Sequence, residues 1–157
     1  MKNEFNLIFE NQDFDHLNLK PYMNVGDSLE NIMFINCTFY QSTVHTIDNC
    51  VFKNCKLDTL YMRKGDIRES KFEDCQLVEI GLLKGDLSGS DFINCTIINF
   101  NLGIGYIGHC TFKDCQVQID NLDMFEPMEP DNVKLWHQGE WLTVTDWQEF
   151  LRLQTPN

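Results

Sequence analysis

Seven cysteines and four histidines are the residues of this 157-residue chain whose chemistry would matter most. Thiolates and imidazoles hold metals, form disulfides and act as nucleophiles or bases, and each task demands its own spacing. The cysteines stand at 37, 50, 55, 75, 95, 110 and 115, with no Cys-x-x-Cys pair of the kind a zinc site uses. Their number is odd, and disulfide frameworks belong to exported chains. The opening "MKNEFNLIFENQDF" turns acidic within four residues and carries no apolar signal core, so a cytoplasmic location is expected. No stretch approaches the ~18 apolar residues of a membrane span, and no membrane partner is expected.

The histidines, at 16, 45, 109 and 137, form no metal-spaced cluster. Neither a nucleophile elbow, a phosphate loop, a His-Glu-x-x-His pair nor a dinucleotide fingerprint occurs. "GDIRES" and "GDLSGS" pair Asp with Ser, and "LGIGYIG" at 102–108 has glycines spaced like a phosphate loop, yet all three fall inside a repeat. No catalytic residue, cofactor or metal site is expected, and the chain reads as a non-enzyme. Reduced, buried cysteines acting as small apolar residues are the expectation instead.

The repeat supplies what positions them. "FKNCKL" at 52–57 recurs as "FINCTF" at 34, "FEDCQL" at 72, "FINCTI" at 92 and "FKDCQV" at 112. Phe52, Phe72, Phe92 and Phe112 share one constant spacing, and Cys55, Cys75, Cys95 and Cys115 keep the same one. A fixed period of this size marks a solenoid. Inside it runs a step of five: from Phe52 through Leu57, Met62 and Ile67 to Leu122, fifteen consecutive centres are apolar. Two residues before each centre lies a second column, small on three sides (Cys, Ser, Gly) and large on one (Leu60, Ile80, Phe100). Two inward positions in every five, four times per period, describe a coil with four short sides; neither a helical nor a sustained alternating period fits.

This pattern resembles the pentapeptide-repeat family, in which a small residue and Asp or Asn precede a central Leu or Phe; "GDLSG" and "SDFIN" at 85–94 carry the likeness most clearly. The resemblance spans about residues 29–122. It implies an all-β solenoid, a right-handed quadrilateral β-helix of five to six coils that stack ~4.8 Å apart into a rod roughly 25 Å long. Phe is then the centre of one side and Cys the small residue of the next. Asn or Asp at 36, 54, 74, 94 and 114 turns the corner between them, tolerating the dihedrals and forming a side-chain ladder.

Departures from register mark the ends. The step from Phe34 to Phe52 falls two short of the regular period, and the shortfall is assigned to "TIDNC". Phe14, Leu17 and Leu19 echo Phe34, Cys37 and Phe39, each one full period ahead, so residues 5–28 are read as an imperfect first coil. The expected division is a β-helix over 1–122, with 1–28 as an irregular cap, and a C-terminal capping or interaction segment over 123–157. Asp120 on an inward position ends regular stacking, because an unpaired buried charge is costly. "DMFEPMEPDN" then reads as a connector, and "VKLWHQGEWLTV" as a hairpin turning at Gln138-Gly139. "TDWQEFLRLQ" reads as a short helix with Thr145 and Gln148 in a capping box and an apolar stripe of Trp147, Phe150 and Leu151.

The formal charge is −12 and is unevenly placed. Residues 50–119 hold nine acids and eight bases; residues 1–49 hold seven and two, residues 120–157 eight and two. The rod is nearly neutral and its ends are acidic. Without a basic run, direct nucleic-acid binding is not expected. The favoured reading is a protein-binding module of the immunity or inhibitor type that neutralises a basic partner such as a toxin. The alternative implied by the resemblance is a DNA mimic that binds and protects DNA gyrase, a topoisomerase; such a mimic should carry its charge along the rod. Candidate contact residues are Glu126, Glu129, Asp131, Trp136, Glu140 and Trp141, carboxylates to steer a basic partner and indoles to supply buried area. Ile93 and Ile98 belong to a second candidate patch with Val78, Leu83 and Ile104, all placed outward by the repeat. A homodimer through the C-terminal segment is a further arrangement the sequence allows.

Overall fold

The computed structural model describes residues 5–15, 28–62, 65–82, 85–99, 107–118, 129–137 and 139–144. They form strands and corners, with no helix among them. Face 1 stacks seven parallel strands: Leu7–Glu10, Ile32–Ile35, Val51–Lys53, Lys71–Glu73, Asp91–Ile93, Thr111–Lys113 and Glu129–Asp131. Face 2 stacks Asp13–Asp15, Thr38–Thr43, Lys56–Met62, Gln76–Leu82, Thr96–Ile98, Gln116–Gln118, Val133–His137 and Glu140–Val144. The longer strands of this face run on around a corner, so that 60–62 and 80–82 make face 3. Face 4 holds Ser28–Glu30, Thr46–Asp48, Ile67–Arg68, Leu87–Ser88 and Ile107–Gly108. The architecture is a four-sided β-solenoid.

The five-residue step is a backbone fact. Asn49, Asn54, Thr59, Glu69, Asp74, Glu79, Gly89, Asn94, Asn99, His109 and Asp114 all take φ between 45° and 62°. One left-handed residue after each short strand turns the chain through a corner, and Asn and Asp tolerate that conformation best among residues with a Cβ. Their side chains do form a ladder: Asn54 Nδ2 donates to Asn36 Oδ1 (2.8 Å), Asn94 to Asp74 (2.6 Å) and Asn132 to Asp114 (2.7 Å).

The interior follows from the same register. Phe34, Phe52, Phe72, Phe92 and Phe112 are buried, and successive rings stack with centroids 4.9, 4.8, 4.8 and 4.7 Å apart. Beside them Phe39, Leu57, Leu77, Ile97, Val117 and Leu135 fill the centre of face 2. All seven cysteines are buried free thiols. In the column beneath face 2 each Sγ–H donates to a phenylalanine carbonyl one coil away: Cys55 to Phe34, Cys75 to Phe52, Cys95 to Phe72 and Cys115 to Phe92, at 3.3–3.5 Å. Beneath face 1, Ser70 and Ser90 lie between Cys50 and Cys110, and each serine Oγ accepts a backbone N–H from the preceding coil at 3.1 Å. At the third small position only glycine fits: a Cβ on Gly85 would lie 1.5 Å from the Gly65 carbonyl oxygen.

Two expectations about register are corrected. The first coil is longer than the regular period by one pentad, since Phe9 pairs with Phe34 and Phe14 with Phe39. The reason is packing: this slip of one pentad puts Phe9 on Phe34 (5.4 Å) and Phe14 on Phe39 (4.9 Å), filling two aromatic columns together. Leu17 and Leu19 lie outside the described residues. The short coil is clipped before "TIDNC": Thr43 still pairs with Tyr61 on the shortened step, but Ile47 already pairs with Ile67 on the regular one. Only His45 and Thr46 therefore bridge Val44 to Ile47 where the next coil uses twice as many, and the carbonyl of His45 comes close over Gly65. Stacking also continues beyond residue 122: Glu129–Asp131 lies on Thr111–Lys113 and Val133–His137 on Gln116–Gln118. Asp120, and the stretch 145–154 read as a helix, lie outside the described residues.

Candidate partner-binding surface

The alternation in "VKLWHQGEWLTV" makes a hairpin whose strands pair Val133 with Val144, Leu135 with Leu142 and Trp136 with Trp141. Gly139, at φ 91°, occupies the tight turn, where a residue with a Cβ would be strained. Parity is set by the coil beneath. Val117 pairs with Leu135, so Leu135 and Val133 are buried as the next rung of the interior, with Val144 beside them. The residues between them face out. Trp136 and Trp141 are 36% and 43% exposed and meet edge to face, centroids 5.3 Å apart. Such a cross-strand aromatic pair adds about 0.5–1 kcal/mol to a hairpin while leaving much of both indoles in water.

The interior plug of this end is therefore aliphatic, and the indoles lie on the outside. Glu140 is exposed next to Trp141. Asp131 is exposed on the last strand of face 1, its carboxylate 3.6 Å from Lys113 Nζ. Glu129 lies on the same strand, in register with Thr111. Glu126 lies outside the described residues. Trp136, Trp141 and Glu140 thus share the hairpin, while Asp131 and Glu129 stand on face 1.

Ile93 and Ile98 are both half-buried, but Ile93 closes a strand of face 1 and Ile98 a strand of face 2, with the Asn94 corner between. Val78 is in register with Ile98 on face 2. Leu83 and Ile104 lie outside the described residues. The hairpin extends face 2 as its next two strands and does not fold back across Ile98.

Residues that the repeat pattern did not single out line a groove of about 420 Å³ at the other end of face 2. Asp13, Asp15, Tyr40, Gln41, Asp58 and Thr59 form it. Lys56 Nζ sits 5.7 Å from the Tyr40 ring centroid and 3.2 Å from Asp58. Each of these side chains is an ordinary outward position, so the signal was the exposed aromatic among acids.

The buried thiols divide in two: hydrogen bonds from neighbouring thiols lower Cys55 and Cys95, whereas the other five are raised. Burial pushes the Cys50 and Cys110 thiols up to about 11, and it also raises Cys37. Neighbouring thiols, then burial, hold Cys75 well above the usual range. A raised thiol is a poor nucleophile and a poor metal ligand. Among the described residues no three His, Cys, Asp or Glu side chains group as a metal site, and no helix is long and apolar enough to cross a membrane.

No family model and no curated protein matches the chain. Among solved structures it is similar to two trypsin-treated variants of QnrB1, described as a plasmid-mediated fluoroquinolone resistance protein. One matches at 12% identity over 83% of this chain and 92% of that one, with a TM-score of 0.27. The other matches at 10% identity over 83% and 90%, with a TM-score of 0.25. Left-handed corners set five residues apart among the described residues, paired inward columns of small and large side chains, and rungs in parallel register up to the hairpin make this chain a four-sided β-solenoid built on a five-residue step.

Proposed function

We propose that this solenoid is a non-catalytic protein-binding module, an immunity or inhibitor protein whose acidic, indole-bearing end masks a basic protein partner such as a toxin. The observation that carries the reading is the Trp136–Trp141 pair, held in a fixed geometry by the hairpin yet left exposed at the end of the coil stack where Asp131 and Glu140 are exposed as well. Tryptophan is the residue most enriched among the anchors of protein interfaces, and a rigid indole loses little entropy on docking. Carboxylates at the same end accelerate encounter with a positive partner without adding much to final affinity.

Protection of DNA gyrase by duplex mimicry would need a continuous negative surface along the rod. Face 1 weighs against it, because Lys53 and Lys71 both pair with Glu73, and Lys113 pairs with Asp131. The test uses a basic toxin whose lethality the chain suppresses on co-expression. Changing Glu126, Glu129, Asp131 and Glu140 to their amides is expected to slow association at low salt and to leave the thermal melt unchanged. Trp141→Ala is expected to speed dissociation. Kinetics untouched by both changes would move the interface off this end. Inhibition of gyrase supercoiling by the purified chain would favour the alternative.

A further inference from the structure

Face 1 changes character along the rod. Its outward positions on the first three rungs are Ile8 and Glu10, Met33 and Ile35, then Val51 and Lys53. Ile8 is 58% exposed, and Met33, Ile35 and Val51 are half-buried around it. The corners bordering these rungs carry asparagine: Asn31 and Asn49 on one side, Asn11, Asn36 and Asn54 on the other. From the next rung on, the same two columns turn to charge, with Lys71, Glu73, Asp91, Lys113, Glu129 and Asp131. An apolar centre inside an uncharged polar rim is the anatomy of an interface. The two charges of this patch, Glu10 and Lys53, stand in one column on either side of Ile35.

We infer that this end of face 1 is a self-association surface, on which a second copy of the chain packs face to face and in the opposite direction. The twofold axis lies along the strands, through the rung of Met33 and Ile35. The inference stands apart from the function proposed above. Symmetry selects the occupant, because such an axis sends each rung to the one equally far on its other side, in the same column. Met33 then meets Met33 of the second copy, Ile35 meets Ile35, and Ile8 meets Val51. Glu10 meets Lys53, and the symmetry makes that contact twice. Sheets pack ~10 Å apart face to face, a gap that a Glu and a Lys side chain bridge together.

Other registers fail on the same columns. Moving the axis half a rung toward the hairpin sets Glu10 on Glu73, and a full rung sets Lys53 on Lys53. Half a rung the other way sets Glu10 on Ile35 and leaves Val51 uncovered. Overlap of the whole face sets Glu10 on Asp131, and an axis along the rod sets Ile8 on Glu10 and Glu129 on Asp131. Three rungs make a small contact, so the dimer is expected to exchange rapidly, with a Kd in the micromolar range or weaker. Both hairpins point away from the axis, and one dimer presents two indole pairs.

Sedimentation velocity of the full chain, from micromolar to near-millimolar concentration at low salt, reads the dimer constant. Glu10→Lys is expected to weaken it by at least about tenfold, since two attractions become two repulsions, and Lys53→Glu to do the same. Circular dichroism checks that both variants fold. The decisive arm mixes them. Glu10→Lys against Lys53→Glu sets unlike charges together at both contacts, so the mixture is expected to return to within about threefold of the wild-type constant. Ile8→Ser, at an exposed position whose change spares the interior, is expected to weaken the dimer about fivefold. A wild type that stays monomeric throughout would overturn the inference. So would a dimer indifferent to both reversals, or a mixture as weak as its components. Self-association lost in Trp141→Ala and kept in Ile8→Ser would overturn it too, by moving the contact to the hairpin.

Discussion

Faces 1 and 2 are cut from the same repeat and differ almost only on the outside. Inward, from Phe52 to Phe112 on face 1 and from Leu57 to Val117 on face 2, each rung presents a large centre and a small Cys or Ser neighbour, all buried. Outward, face 1 is a lattice of ion pairs, Lys53–Glu73 at 3.2 Å among them, whereas face 2 from Gln76 on is uncharged as far as Gln118. The inner pattern is under the constraint of close packing and cannot vary without loss of the stack. The outer pattern has no such constraint, so the difference between faces reports on what the surface meets.

That contrast can be broken most severely from within. If the interiors of the two faces are equivalent, Leu77→Asp on face 2 and Phe72→Asp on face 1 are both expected to prevent folding, since each buries an unpaired carboxylate between stacked neighbours. A folded, soluble variant of either kind, seen by circular dichroism, would mean that inward and outward positions are misassigned. Cys75→Ala is a milder intrusion. It removes one sulfur and its contact with the Phe52 carbonyl, at an expected cost of about 1 kcal/mol in a denaturant melt.

The thiols give a pH test that favours face 1, where Cys50 and Cys110 lie. Their folded values stand near 11 against an ordinary 9.0, because burial disfavours the thiolate. An acid whose value is raised on folding stabilises the native state fully below its unfolded value and loses that contribution as pH rises through the folded one. Stability is thus expected to fall between about pH 9 and pH 11, and Cys50→Ser with Cys110→Ser to flatten the fall. A flat alkaline limb in the wild type would argue that these thiols reach water.

The smallest effect belongs to the outside of face 1. Lys71, then Lys53, hold the Glu73 carboxyl below its ordinary range, so its contribution is present above pH 4.5 and lost as pH falls below it. Glu73→Gln is expected to change stability by no more than about 0.5–1 kcal/mol and less at high salt. A larger loss would make the ion-pair lattice structural and weaken the claim that outer positions are free to vary.

Much of this was legible in the sequence because steric demand repeats at fixed intervals. The Phe and Cys columns, the Asn and Asp corners and the hairpin at Gly139 could each be read from spacing and residue type. The errors arose where two spacings competed. Phe14 lies one regular period before Phe34, but pairing it with Phe39 stacks two phenylalanine columns at once, and packing prevailed over period. The clipped corner was misplaced because Phe34 and Phe52 report only the length of their coil, not which side loses residues. The outward setting of Trp136 and Trp141 was illegible for a different reason: alternation fixes which residues share a side, but only the pairing of Val117 with Leu135 fixes which side faces in.

The glycine column has a consequence for how such a molecule can change. Gly85 lets the backbone of one coil settle directly over Gly65 of the coil before, and the same columns recur with every regular coil. Excising one complete period would rejoin identical surfaces, leave every column in phase and bring the indole pair nearer to the Tyr40 groove by a single rung. A change of any other length has to be absorbed inside one coil, as the short step from Phe34 to Phe52 absorbs its missing residues on a single side. The distance between the two ends of face 2 is accordingly quantised, and lineages of such chains can retune their reach only in whole coils.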